Sequence, residues 1–105
     1  MQFKNGVTLP AERLNCTDII RAMVNIEDIF NRYKIQFVIT SIYDGNHMKG
    51  TLHATGQAFD VRTRDMASTE GLAKLLTRRI QIILGADWDV ILEDDHIHIE
   101  HDPRS

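Results

Sequence analysis

The sequence predicts an α+β domain, a mainly antiparallel sheet with two helices packed on one face. Three observations lead there. The chain has 105 residues, enough for one compact domain spanning residues 1–105 around a single core. Two stretches carry apolar residues at helical spacing. The other apolar runs are short, β-branched and alternating, giving the order α-β-loop-β-α-β-β.

The first helix is expected over residues 10–33. Ile19, Met23, Ile26 and Phe30 recur at three- and four-residue steps, Ile20 and Ile29 widen the stripe, and Glu12, Arg21, Glu27 and Asp28 suit solvent. Residues 35–42 read as a strand that buries Phe37 and Ile39. Residues 43–56, with Gly45, Asn46, Gly50 and Gly56, read as a loop. In residues 58–62, Phe59 and Val61 alternate with Asp60 and Arg62, so a strand there turns the latter pair away from the core. The second helix is expected from an N-cap at Ser68 to Leu84, stopped by Gly85, with Leu72, Leu75, Leu76, Ile80 and Ile83 inward. Two strands close the chain, over residues 89–92 and 96–101, joined by Glu93, Asp94 and Asp95. Trp88 suits the edge of the core or a rim contacting sugar or peptide; Phe3, Tyr33 and Met48 follow no pattern.

Composition narrows the function classes. Hydrophobic content of 43% and charged content of 26% are those of a globular protein. A net charge of −3, with the twelve Lys and Arg scattered, lacks the basic footprint of a nucleic-acid binder, although Arg62, Arg64, Arg78 and Arg79 could form a local patch. One cysteine, Cys16, permits no internal disulfide and reads as a small buried hydrophobe. The first ten residues lack a secretory apolar run and no stretch is long enough to span a membrane. The chain is therefore expected in the cytoplasm as synthesised, with no membrane partner, reaching a cell wall only after release.

Histidine placement carries the chemistry. His47, His53, His96, His98 and His101 all fall in the central loop or the last strand. There Ile97 and Ile99 take the core side, so His96, His98 and Glu100 share the opposite face. By the same counting Asp60 faces that way, with His53 approaching from the loop. Two imidazoles and a carboxylate form a zinc-competent set that leaves one coordination position open. The alternative is two ordinary surface histidines on an exposed sheet face; clustering with Asp60 favours the metal.

The segment Thr51-Leu52-His53-Ala54-Thr55-Gly56-Gln57-Ala58-Phe59-Asp60 resembles the Ser-x-His-x-x-Gly-x-Ala-x-Asp signature of the zinc peptidase clan that holds D-Ala-D-Ala carboxypeptidases, L-alanyl-D-glutamate endopeptidases and phage endolysins. The stretch from Asp44 to Asp65 is also similar to the zinc region of the hedgehog signalling domain, a structural relative. The resemblance covers about a third of the chain. It implies a hedgehog/DD-peptidase-like fold and one zinc ion held by His53, Asp60 and His98. It further implies hydrolysis of an amide bond in peptidoglycan peptides. It places an acidic residue three positions before the last ligand, Asp95, as general base, with Glu93 as competitor. His96 matches the clan's histidine beside the ligand, suited to stabilising an oxyanion. His47 matches a loop histidine near the metal in the hedgehog domain, or is an exposed loop residue; Thr51 keeps the signature hydroxyl. His101 and Asp102 are expected at the surface. Three adjacent carboxylates, Glu93 to Asp95, are expected to raise one another's proton affinity.

Two departures matter. Asp44 stands where the carboxypeptidases carry a carboxylate-binding Arg, so carboxypeptidase action would need Lys49 or Arg62 as substitute. Asp44 could instead help hold calcium, as acidic groups do in hedgehog. The second reading is a hedgehog-like zinc domain that binds a partner without turnover.

Overall fold

The computed structural model describes residues 1–7, 17–43 and 57–102. In chain order these form β1 (Gln2–Phe3), α1 (Thr17–Arg32), β2 (Val38–Tyr43), β3 (Gln57–Arg62), a 3-10 turn (Arg64–Met66), α2 (Leu72–Leu84), β4 (Trp88–Leu92) and β5 (His96–His101). The strands make one sheet in the order β1-β2-β3-β5-β4, antiparallel except for the parallel β1–β2 pair. The class is α+β, as the pattern predicts. Of the loop expected at residues 43–56, Tyr43 belongs to β2, and residues 44–56, with His47, Thr51 and His53, lie outside the described residues, as does Cys16.

Helix α1 buries Ile19, Met23, Ile26, Ile29 and Phe30, while Arg21, Val24, Asn25 and Asp28 face solvent. Its end is a Schellman turn. Lys34 sits at φ 57° and its N–H donates to the Asn31 carbonyl, and the Ile35 N–H reaches back to Phe30. That turn swings the chain toward β2, and just before the strand the Phe37 ring meets Phe30 at 5.2 Å between centroids.

β2 is not the uniform strand its sequence suggests. Ile39 pairs with Val61 but Ser41 pairs with Asp60, so a bulge absorbs Thr40. The bulge resets the alternation, which lets Ile42 join the core three residues after Ile39 and sets Ser41 beside Asp60. β1 went unread because two residues are too few to show a period. Its Gln2 N–H donates to the Phe37 carbonyl and the Lys4 N–H to that of Ile39, and Phe3 packs against the core. The sheet is therefore mixed.

The 3-10 turn and Gly71 correct the start of α2. Gly71 is the N-cap, at φ 79°, and Ser68 belongs to the preceding turn. Leu72, Leu76 and Ile80, spaced by four, are buried; Leu75 and Ile83 are exposed, against expectation. Ile83 lies in the last turn beside a shallow hollow bordered by Asp18, Arg21 and Asn25 of α1. Gly85 ends the helix, as expected. Gln81 then fastens it to the sheet edge: its amide donates to the Gly85 and Trp88 carbonyls at 3.0 and 2.8 Å and accepts from the Val90 N–H at 3.1 Å. These bonds cover part of the open edge of β4.

Both helices contribute to one apolar cluster with Ile39, Phe59, Val61, Ile97 and Ile99 from the sheet. Period-two alternation sends Asp60, Arg62, His96, His98 and Glu100 to the opposite face. The helices stabilise one side of the sheet and leave the other to polar chemistry.

Candidate metal centre

The antiparallel register sets Asp60 of β3 directly opposite His98 of β5, and Arg62 opposite His96. Directly opposed residues share a face and lie close enough for side-chain contact. His98 Nδ1 is 2.8 Å from Asp60 Oδ1, and His98 Nε2 is 3.3 Å from Glu100 Oε1. His96 Nδ1 is 2.6 Å from Asp95 Oδ1, and its Nε2 is 3.7 Å from Asp60 Oδ2. Carboxylate and imidazole thus alternate along the face: Asp95, His96, Asp60, His98, Glu100. The Asp60 side chain is only 7% exposed, although it lies on the non-core face. A carboxylate so enclosed needs a partner, and the His98 ring is there.

Do these groups suit zinc? Ligands at about 2.0–2.1 Å from a tetrahedral ion lie roughly 3.3 Å apart. Asp60 Oδ1 and His98 Nδ1 already stand at 2.8 Å, so a small opening would admit the ion between them. The donor types, one carboxylate oxygen and one imidazole nitrogen, also fit. Two of the three predicted ligands are thus adjacent; the third, His53, lies outside the described residues, as does His47.

Among the described residues, an open cleft of about 1140 Å³ runs past this site. Thr40, Ser41, Asp60, Thr63, Asp95 and His96 line part of it. Asp95 projects from the β4–β5 hairpin with 91% of its side chain exposed. Glu93 is also exposed, but it does not border the cleft; its N–H closes the hairpin onto the His96 carbonyl at 2.8 Å. Arg62 is engaged: its Nε and Nη2 donate to the two Asp65 oxygens at 2.9 and 3.2 Å.

The acidity of Asp95 runs opposite to expectation. The His96 hydrogen bond holds its carboxyl below the usual carboxylate range, outweighing the slight desolvation that opposes it. Glu93 and Asp94 do not reverse this, because charges at an exposed hairpin tip are screened by water. Asp95 is therefore ionised at neutral pH.

For His98 the Asp60 hydrogen bond raises proton affinity above the ordinary 6.5, against the opposing effect of burial, with Glu100 adding to the rise. In metal-free protein this pair stabilises the fold fully below pH 6.5 and ceases to do so as pH rises through the elevated value. The stability difference between metal-free wild type and His98→Gln is accordingly expected to be larger at pH 6 than at pH 9 in urea denaturation. An equal difference at both pH values contradicts the assignment. A cation taken up at Nδ1 would compete with the same proton, so its affinity would fall as pH drops through that value.

Two expectations about the C-terminal end are corrected. Asp102 is buried, 7% exposed, and its N–H donates to the Asp87 carbonyl at 2.7 Å. His101 is half-buried, its ring 4.6 Å from that of Trp88, which is itself a core-edge residue. Asp89, Glu100 and Asp102 bring one carboxylate oxygen each within 4.8 Å of one another, a group that could also hold a metal ion. The sequence reading gave Glu100 a face but no role. Its signal was the same alternation that exposed His96 and His98, carried two residues further.

No helix among the described residues is long and apolar enough to cross a membrane. No protein-family model, curated protein or solved structure matches the chain.

Proposed function

We propose that the protein is a zinc-dependent peptidase of the D-Ala-D-Ala carboxypeptidase and L-alanyl-D-glutamate endopeptidase type, with one zinc held by His53, Asp60 and His98. Its proposed substrate is an amide bond of peptidoglycan peptides. One observation carries the reading: Asp60 and His98, chosen from a sequence signature and a distant His-x-His, stand 2.8 Å apart on neighbouring strands. The cleft beside them, bordered by Asp95 and His96, supports catalysis over simple metal storage.

When bound, zinc supplies Lewis acidity, acidifying an attacking water and polarising the scissile carbonyl. The remaining work falls to side chains. Asp95, ionised at neutral pH, takes a proton from the attacking water and delivers it to the leaving amine as the C–N bond breaks. His96, held at Nδ1 by Asp95, is placed to hydrogen-bond the developing oxyanion through Nε2. Ser41 and Thr40 line the cleft and can hydrogen-bond the peptide backbone. Arg62 is held at two atoms by Asp65, so a terminal carboxylate would have to displace that partner. This favours endopeptidase over carboxypeptidase action.

The test is to incubate zinc-loaded protein with purified peptidoglycan and follow new amine and carboxyl ends. New ends that vanish with a chelator are expected. Stoichiometric zinc with no new ends would instead assign a hedgehog-like interaction domain.

A further inference from the structure

Whatever ion His98 binds, the ring must be held in one orientation and one tautomer, and the strand itself supplies the means. Glu100 lies two residues beyond His98 on β5, on the same face. Its Oε1 is 3.3 Å from His98 Nε2, while Nδ1 faces Asp60 at 2.8 Å. The Glu100 side chain is 16% exposed, so water competes weakly for it. The two ring nitrogens are thus addressed by two different carboxylates from opposite directions.

We propose that Glu100 is a positioning residue for the metal centre: it accepts the Nε2–H of His98 and so commits Nδ1 to the ion beside Asp60. This rests on the zinc reading above. A neutral imidazole carries one proton, and a ligating nitrogen must be bare. An acceptor at Nε2 fixes the proton there, leaves the Nδ1 lone pair free, and makes that nitrogen a stronger donor. Asp89, opposite Glu100 on β4, and Asp102 each bring a carboxylate oxygen within 4.8 Å of one from Glu100.

The experiment pairs zinc titration with nitrogen-15 NMR of the His98 ring. In zinc-loaded wild type the ring proton is expected on Nε2 and the metal on Nδ1. Glu100→Ala should lower zinc affinity by about 10- to 100-fold. Glu100→Gln, nearly isosteric and still an acceptor through its carbonyl oxygen, should recover most of that loss. Metal on Nε2 in the wild type overturns the proposal without needing any variant, as does unchanged affinity in a folded Glu100→Ala. Absence of zinc binding in the wild type overturns the zinc reading first, a result distinct from zinc bound with Glu100 indifferent.

Discussion

Replacing Asp60 by Ala is expected to lower zinc affinity by more than about 100-fold, beyond the loss from removing an outer partner of a ligand. The substitution deletes one donor and disturbs a second, because Asp60 is also what His98 Nδ1 faces in the metal-free protein. With the carboxylate gone, His98 loses its Nδ1 partner, while Glu100 remains on its other nitrogen. The protein should still fold. Phe59 and Val61 on either side of Asp60 supply the buried contacts of β3, and both are fully enclosed. Competition against a chromophoric zinc chelator, with circular dichroism to confirm folding, measures the effect. Wild-type affinity in a folded Asp60→Ala protein would remove the carboxylate from the ligand set.

Asp95→Asn is expected to reduce turnover by about 10²- to 10⁴-fold, the usual worth of a general base, while zinc stays bound. Asn keeps the shape but cannot take a proton. The exposed position of Asp95 makes a stability effect small, since surface substitutions away from special features usually cost little. Loss of turnover therefore reads as chemistry and not as unfolding. Glu93→Gln is the control, because Glu93 does not border the cleft. Normal turnover in Asp95→Asn together with loss in Glu93→Gln would transfer the role to Glu93.

The sequence was most readable where period and chemistry reinforced each other. In β5 the isoleucines Ile97 and Ile99 fixed the face of His96 and His98, because a strand offers only two faces. Asp60 followed from Phe59 and Val61 in the same way. What alternation could not supply was register, which decides that Asp60 stands opposite His98 and not one pair along. It was also silent on β1, which is short and whose pairing partner is distant in sequence, and on the bulge at Thr40.

Other departures have local causes. Ser68 has the chemistry of an N-cap, but the 3-10 turn at Arg64–Met66 consumes the chain before it, and the helix waits for Gly71. Asp102 looks like surface by residue type, yet its backbone pairs with Asp87 beside the Trp88 and His101 rings and draws it inward. The raised proton affinity expected of Asp95 is reversed because like charges at an exposed tip are screened while the 2.6 Å bond to His96 holds its carboxyl down. Each miss is a tertiary or solvent effect that residue types alone do not encode.

The metal content of the purified chain tests the ligand set most directly. Wild type, His53→Ala and His98→Ala would each be saturated with zinc, freed of loosely held ions and assayed for bound metal. The expected result is about one zinc per chain for the wild type and little in either variant. Wild-type protein without stoichiometric zinc, or a folded His53→Ala that retains it fully, would contradict a centre built from His53, Asp60 and His98.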